Sequence, residues 1–402
     1  MDATVSAEAA PAPPGRGRTA LLGVLQILSW GGSFYLMSVL ASPIMEEFGW
    51  SHDIVMGAVS FGLLVAGVAS PWCGRLISAG RGRQLVAGSG LVMALGLCLL
   101  AAASSRTVFV LAWAVIGLAM AAGLYDSLFS TLGAAFGTRA RASITGVTLI
   151  SGFCSALIWP VLAALTSAVG WRMTCLVYAA VMLATIPLYR ACLPDGRAIA
   201  RAGTQAGADG RAGVGRAMYL LMSVVFAIAA SLIIAFSVFM LVLLQSRGMT
   251  LAAAIAMGSV VAPAGVACRL IDLVARNAHP IWMTVAGTVA SAVGLALVTY
   301  VPAATLVGLV LFGAGNGVRA IVKSTLPMML VSGDAYARLS NRLARPMFIA
   351  QAATPIACGL LVSRCGPEFT LRVLSALALV AMFAALALAV LIRRRAPSRR
   401  AG

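Results

Sequence analysis

The chain has 402 residues, of which 61% are hydrophobic and only 10% are charged, and its formal net charge is +18. An ordinary soluble domain carries about a quarter charged residues, so this composition excludes a soluble fold and indicates a membrane protein. Nucleic-acid-binding proteins are also basic, but they cluster their basic residues on a soluble face, and no soluble domain remains here to carry one.

Apolar stretches of about twenty residues recur along the chain, and each is long enough to cross a hydrocarbon core of about 30 Å. We therefore predict an all-α membrane protein with a disordered cytoplasmic N-terminus (1–18), a basic cytoplasmic tail (393–402) and no removed signal peptide. The predicted transmembrane helices are twelve, at residues 19–45, 53–77, 85–104, 107–135, 142–168, 172–193, 217–245, 250–274, 280–300, 304–331, 346–364 and 370–392.

The basic residues are distributed unevenly between the two sides of this predicted membrane protein. Most lie in segments on the side shared by both termini, whereas the opposite side holds Arg106, Arg172, Arg247, Arg364 and Arg372. By the positive-inside rule, both termini are predicted to be cytoplasmic.

An internal repeat divides the chain into two halves. The longest polar stretch in the interior, residues 194–216, is predicted to be a cytoplasmic linker between a six-helix half at 19–193 and another at 217–392. An offset of 194 aligns RLI at 75–77 with RLI at 269–271, and the same offset pairs predicted spans four and ten. A register shared by several pairs of spans indicates a duplicated six-helix unit.

Several motifs carry a resemblance to a known family. Residues 74–83, GRLISAGRGR, are similar to the G-x-L-a-D-r-x-G-R-[RK] signature of the major facilitator superfamily. The stretches GLYDSLFSTLGAAFG (123–137), ITGVTLISGFCSALIWP (144–160) and GAGNGVRAIVKSTLP (313–327) look like a bacterial branch of that superfamily. Ser78 stands where the signature has an acidic residue, so the inter-helix charge contact of that residue is not expected here.

The resemblance implies two pseudo-symmetric six-helix bundles around a central cavity, in a multi-pass protein of the bacterial inner membrane. It also implies a conformational loop between spans two and three, and the internal repeat extends the corresponding position to span eight. The residues assigned to this gating role are Gly74, Arg75, Arg81, Arg83, Arg269 and Asp272. Arg269 is expected to anchor its loop, with Asp272 at i+3 as its partner.

Charged residues inside predicted spans are the main candidates for function. Each costs roughly 2.5–3.5 kcal/mol at mid-bilayer, so it must face protein or water. Besides Arg269, the candidates are Asp126 in span four and Arg319 and Lys323 in span ten, where Asn316, Arg319 and Lys323 share one helix face. In the family that the chain resembles, spans one, four, seven and ten line the cavity, which implies that Asp126 faces Arg319.

One carboxylate cannot neutralise both Arg319 and Lys323. Our hypothesis is that the surplus positive charge binds an anionic group of the substrate, since arginine suits bidentate carboxylate or phosphate recognition, while Asp126 takes up and releases a proton. Two alternatives stay open. Asp126 and Arg319 form a structural ion pair between the halves, and Lys323 extends to the cytoplasmic interface.

Polar and aromatic side chains of span one follow a helical spacing that suits a cavity wall. Gln26, Trp30 and Phe34 lie at i, i+4 and i+8, with Tyr35 beside them. The other predicted wall residues are Tyr125 and Gln351. The alternative interpretation is that the aromatic residues are ordinary packing residues.

No catalytic, metal-binding, cofactor-binding or nucleotide-binding motif occurs in the sequence. We therefore predict no enzyme and no cofactor. The predicted function is secondary active transport of a small molecule, a small organic anion, by alternating access with proton coupling. The expected partners are this substrate, the proton and the lipid bilayer, with no nucleic acid and a monomeric state. The alternative is an efflux pump for apolar drugs or for thiophilic or metalloid compounds, which would contact Cys154 or Cys358.

Overall fold

The computed structural model describes residues 13–194, 214–274, 279–331 and 333–395. In these ranges the chain forms helices joined by short turns, and no strand occurs, so the predicted all-α class is confirmed for this part of the chain. A π-helical turn covers Ile77–Arg81, and 3-10 turns cover Gly137–Ala140 and Pro302–Ala304. The α-helices are Arg16–Gly31 (α1), Met37–Phe48 (α2), His52–Leu76 (α3), Gly82–Ala101 (α4), Arg106–Gly123 (α5), Tyr125–Phe136 (α6), Arg141–Ser151 (α7), Cys154–Cys192 (α8), Arg216–Gln245 (α9), Leu251–Gly258 (α10), Val261–Val274 (α11), Pro280–Tyr300 (α12), Thr305–Leu330 (α13), Gly333–Cys365 (α14) and Pro367–Arg395 (α15).

The predicted disordered N-terminus, linker and basic tail lie largely outside the described residues. The helices that border them begin at Arg16 and Arg216 and end at Arg395, so α1 begins within the predicted N-terminal segment and α15 extends into the predicted tail. Residues 13–194 are called the N-terminal half, and residues 214–395 are called the C-terminal half.

Length and apolar composition decide which helices are able to cross a membrane. In the described residues, eight helical segments meet this criterion. The longest, Asp53–Ala101, has 49 residues, which at about 1.5 Å per residue is more than twice the thickness of a hydrocarbon core. It bends at Gly80, whose φ of 81° is in the left-handed region that glycine adopts without strain. This segment therefore accounts for two antiparallel helices.

Several predicted spans are interrupted in the structure. The chain makes a turn at residues 32–36 between α1 and α2, at Leu124 between α5 and α6, at 152–153 between α7 and α8, and at 259–260 between α10 and α11. The predicted spans 19–45, 107–135, 142–168 and 250–274 were expected to be continuous. The interruptions place non-helical backbone inside four predicted spans, and they redirect the side chains that follow.

Each half packs mainly within itself. In the N-terminal half α4 packs against α5 and α8, and in the C-terminal half α12 packs against α13 and α15. Glycine allows the closest approaches between helix backbones. A Cβ atom at Gly62 would lie 2.7 Å from the carbonyl oxygen of Trp113, and one at Gly308 would lie 2.6 Å from that of Gly294. These two crossings therefore require glycine.

The halves meet along α14, which packs against both α3 and α6. Buried Asn341 on α14 donates through Nδ2 to Ser130 Oγ at 2.9 Å, and its Oδ1 accepts from Ser127 Oγ at 3.3 Å. These contacts lie at the end of the molecule that holds the bend between α3 and α4. At the opposite end, α2 packs against α3 and α8, and α10 packs against α9 and α13, each within its own half.

Candidate functional site

An ion pair joins the two halves in the interior of the helical assembly. Lys323 Nζ on α13 lies 2.9 Å from Asp126 Oδ1 on α6, and the two side chains are 9% and 13% exposed. Asp126 lies in the first turn of α6, directly after the interruption at Leu124. A carboxylate is favoured there because the unpaired N–H groups of a helix N-terminus carry partial positive charge.

The sequence interpretation paired Asp126 with Arg319, and the structure pairs it with Lys323 instead. Arg319 lies close enough to Asp126 for electrostatic attraction, but its Nε donates to Asn316 Oδ1 at 2.9 Å, one turn away on the same helix. The repeat alignment assumed that spans four and ten are continuous and of equal depth. The interruption at Leu124 removes that equivalence, and the flexible stem of Lys323 reaches the carboxylate.

Arg319 has no carboxylate at ion-pair distance among the described residues. It is half-buried, and with Asn316 it borders a cavity of about 30 Å³ between α9, α12, α13 and α15. The other lining residues include Phe226, Thr288 and Phe312. This cavity lies inside the C-terminal half and has room for one or two water molecules, so in this conformation it is too small for an organic solute.

A group of aromatic side chains from the N-terminal half lies on one side of the ion pair. The Trp30 ring lies 5.3 Å from the ring of Tyr125 and 6.3 Å from that of Tyr35. Lys323 Nζ lies 5.6 Å from the centre of the Tyr125 ring, within the range of a cation–π contact. The hydroxyl of Tyr125 donates to Ser151 Oγ. Of these predicted wall residues, Tyr125 therefore contacts the charged pair, and Trp30 and Tyr35 are joined to Tyr125 through ring contacts.

Two other predicted wall residues have different surroundings. Gln26 is fully buried inside the N-terminal half, where Nε2 donates to the Gly123 carbonyl oxygen at 2.8 Å and to Tyr189 Oη at 3.1 Å. It therefore does not line a cavity wall in this conformation, because α1 turns this side chain toward α5 and α8. Gln351 is half-buried on α14, and no hydrogen bond of its side chain is found among the described residues.

Arg269 occupies a position that the sequence interpretation missed. Its Nη1 donates to the Thr148 carbonyl oxygen on α7 at 3.0 Å, which is a contact between the halves. It also lies close enough to Arg319 for the two positive charges to repel each other. Arg269 therefore faces the middle of the assembly, which corrects the predicted loop anchor. The side chain of Asp272, its predicted partner, lies outside the described residues.

The signal that could have located Arg269 is its position within its helix. The repeat aligned it with Arg75, which is exposed in the last turn of α3, whereas α11 continues for more than one turn beyond Arg269, to Val274.

Asp126, Lys323, Arg319, Arg269 and Tyr125 together are called the central polar cluster.

The remaining residues of the predicted gating loop lie at the bend between α3 and α4. A Cβ atom at Gly74 would lie 2.7 Å from Asn341 Cβ, so this glycine lets α3 approach α14. Arg75 and Arg81 are exposed and Arg83 is half-buried. Ser78 Oγ donates to the Arg75 carbonyl oxygen at 2.9 Å, so Ser78 bonds within its own turn instead of to another helix.

Long apolar helices that bend back on themselves, with a charged cluster between two packed halves, define a multi-pass membrane protein. The family model described as Major Facilitator Superfamily matches residues 22–343, so the chain belongs to this family of transporters. This match confirms the resemblance noted in the sequence.

Solved structures agree on the fold. One is the crystal structure of the human organic anion transporter MFSD10 (TETRAN), with 14% sequence identity, a TM-score of 0.71, and 92% of this chain and 100% of that chain covered. Another is the proton:xylose symporter XylE bound to 6-bromo-6-deoxy-D-glucose, with 12% identity, a TM-score of 0.73, and 92% and 94% covered. A search of curated protein sequences finds no match to this chain.

Proposed function

We propose that this protein is a secondary active transporter that moves a small organic anion across the bacterial cytoplasmic membrane by alternating access, coupled to protons. The observation that carries the proposal is the central polar cluster, which places three cationic side chains and one carboxylate between apolar helices of both halves. Ionisable groups at this depth are costly, and in membrane proteins they mark substrate and ion pathways.

The proposal includes twelve membrane crossings in two six-helix bundles around a central cavity, with both termini cytoplasmic. Its support is the grouping of the described helices. If each interrupted helix is counted as one crossing and α8 is divided at Gly170, where φ is 77°, the two halves contain six crossings each. Alternating access is supported by the packing of α14 on α3 and α6, which joins the halves beside the bend between α3 and α4.

The surroundings of Arg319 support the hypothesis that the substrate is an anion. Its guanidinium is half-buried, and among the described residues it bonds to a neutral amide and to no carboxylate. A guanidinium presents a planar pair of N–H donors that match a carboxylate or phosphate. The aromatic rings of Trp30, Tyr35 and Tyr125 would contact the apolar part of such an anion.

Asp126 supports proton coupling. A single carboxylate can take up and release a proton, whereas a sodium site requires several oxygen ligands. Protonation of Asp126 would remove its charge and leave the Lys323 ammonium without a partner. Proton uptake would thus add positive charge to the site, so proton uptake and anion binding would favour each other.

Counterflow in proteoliposomes tests the proposal without assuming a direction of transport. Vesicles preloaded with one short-chain carboxylate are expected to take up the same radiolabelled carboxylate for at least one member of a panel. Arg319→Ala is expected to lower this exchange at least tenfold, because a hydrogen bond to a charged group contributes about 1.5–3 kcal/mol. Arg364→Ala, at an exposed position in the last turn of α14, is the matched control and should exchange like the wild type. Unchanged exchange in Arg319→Ala would refute the anion site.

One observation favours transport of thiophilic compounds as a second candidate. Cys154 is buried, with Sγ 3.5 Å from the Ile27 carbonyl oxygen, and it lies near Tyr35 and Tyr125. A thiol therefore lies beside the central polar cluster. Replacement of the cysteines distinguishes the two candidates, because only a thiophilic compound would need these thiols.

A further inference from the structure

We propose that Arg269 is a second anion-binding residue of the central polar cluster and that the transported solute is a divalent organic anion. This inference rests on the proposed function, because it specifies the substrate class of the same site. Its basis is the position of Arg269 and the charge of the side chains around it.

The guanidinium of Arg269 is held in place but not saturated. Nη1 donates to the Thr148 carbonyl oxygen, whereas Nε is buried and has no hydrogen-bond partner among the residues that the structure describes. A guanidinium carries five N–H donors, so one backbone carbonyl leaves most of them unused. Because an unsatisfied buried donor is costly, such a group indicates a ligand that completes its hydrogen bonds.

The guanidinium of Arg269 lies against Gly152 in the N-terminal half. A Cβ atom at Gly152 would lie 2.6 Å from Arg269 Nη1. The φ of Gly152 is −60°, an ordinary helical value, so glycine is not required there by its backbone conformation. A side chain at this position would instead displace the guanidinium of Arg269 from its present place. The absence of a side chain at position 152, in the turn between α7 and α8, thus leaves space for the Arg269 guanidinium.

The charges of the cluster determine the charge of the solute. While Asp126 is ionised it compensates Lys323, and among the described side chains of the cluster this leaves the two positive charges of Arg269 and Arg319. Arg269 and Arg319 also repel each other. A divalent anion bound to both would neutralise the surplus and remove the repulsion, whereas a monovalent anion would leave one guanidinium uncompensated.

Dicarboxylates and their monomethyl esters test this charge requirement, because the members of each pair have nearly the same size. The probes are succinate, glutarate and phthalate with the corresponding monomethyl esters, and binding to the purified full-length protein is measured by titration calorimetry. The wild type is expected to bind at least one diacid about ten to a hundred times more tightly than its ester, as expected for one charged hydrogen-bonded contact.

Two variants alter Arg269 in different ways. Arg269→Gln removes the charge but keeps an N–H donor for the Thr148 carbonyl oxygen, and Gly152→Ala keeps the charge but displaces the guanidinium. Both are expected to lower the preference for the diacid to about threefold or less while ester binding persists. Arg364→Gln should keep the wild-type preference.

The outcomes separate this inference from the proposed function. Equal binding of diacid and ester by the wild type, or an unchanged preference in Arg269→Gln, would overturn the role of Arg269, while loss of all binding in Arg319→Ala would still support the anion site. A preference that appears only in Asp272→Asn would show that Asp272 neutralises Arg269, and would also overturn the inference. If no probe binds the wild type, or if Arg319→Ala binds every probe normally, both proposals fail.

Discussion

Lys323 Nζ lies 2.9 Å from Asp126 Oδ1, and this ion pair connects α13 of the C-terminal half to α6 of the N-terminal half. Both side chains are largely buried, so each charge depends on the other for compensation. The pair is therefore a structural contact between the halves, and it also contains the acidic group through which we propose proton coupling.

Removal of one partner of this pair is expected to destabilise the protein. Lys323→Ala leaves the Asp126 carboxylate buried without its cation, which costs about 3–5 kcal/mol for a buried pair. Lys323→Met combined with Asp126→Asn removes both charges and should recover most of this loss. Both effects are measured as changes in the unfolding temperature in detergent, with size-exclusion chromatography used to detect the folded fraction after heating. Equal unfolding temperatures for the wild type and Lys323→Ala would contradict the prediction.

Asp126→Asn is expected to separate transport from the proton gradient. An asparagine cannot release a proton at physiological pH, so a pH gradient should no longer drive accumulation of a carboxylate in vesicles. Counterflow exchange of the same carboxylate should persist, because it needs no net proton movement. If the variant still accumulates solute in response to the pH gradient, the proton passes through another group.

The buried amide of Asn341 is expected to hold the halves together at the end where α3 bends into α4. Asn341→Ala removes its hydrogen bonds to Ser127 and Ser130 and opens space beside Gly74. In a variant that lacks the native cysteines, a single cysteine at position 127 should then be alkylated several-fold faster. A single cysteine at exposed position 167 serves as the control for reagent access. An unchanged rate of alkylation at position 127 would show that Asn341 does not hold the two halves together at this end.

The contact of Glu47, at the end of α2, with Arg172 and Trp171 is expected to stabilise the protein in a pH-dependent way. Glu47 lies beyond the predicted span 19–45 and accepts hydrogen bonds from Arg172 and from Trp171 Nε1, the latter at 2.6 Å. The Arg172 hydrogen bond, then that of Trp171, lowers the pKa of Glu47 from its ordinary value of 4.5. A lowered pKa in the folded state gives stability that is present above the ordinary value and is lost as the pH falls through the lowered one.

Arg172→Ala should therefore lower the unfolding temperature at neutral pH and have less effect in acid. The loss should be at most about 1 kcal/mol, because the Arg172 and Glu47 side chains are 39% and 41% exposed and solvent screens the pair. Unfolding temperatures measured across the acidic range for both proteins check this prediction. A loss that is the same at every pH would assign the effect to the packing of Arg172 on Trp171 instead.

The cysteines are expected to be dispensable if the solute is an organic anion. Cys154→Ser and Cys358→Ser change buried thiols that would be ligands only for a thiophilic compound. Carboxylate exchange in the double variant should remain within about twofold of the wild type, provided that the protein folds. Loss of resistance to a thiophilic compound in cells, with carboxylate exchange absent from the wild type, would favour the efflux alternative.

The sequence predicted the all-helical class, because apolar length and helical period are local properties, but it did not predict the interruptions inside four of the predicted spans. It also identified Asn316, Arg319 and Lys323 as one face of a helix, since the helical period alone decides this, and the bond between Asn316 and Arg319 agrees with it. Trp30 and Tyr35 were predicted as wall residues from the helical spacing in span one, and Tyr125 was predicted separately in span four; the structure brings their rings together. The roles of these residues in transport stay predictions.

The partners of the charged residues were decided by tertiary structure. Asp126 contacts Lys323 instead of Arg319, Arg269 faces the middle of the assembly instead of a loop, and Gln26 points into its own half. Each difference depends on where a helix is interrupted and how it is rotated against a helix distant in the sequence. The sequence by itself determined an all-helical membrane protein with a surplus of buried positive charge. Only the packing of the two halves decided which of those charges are compensated, because that choice depends on contacts between segments that hydropathy and helical period do not relate.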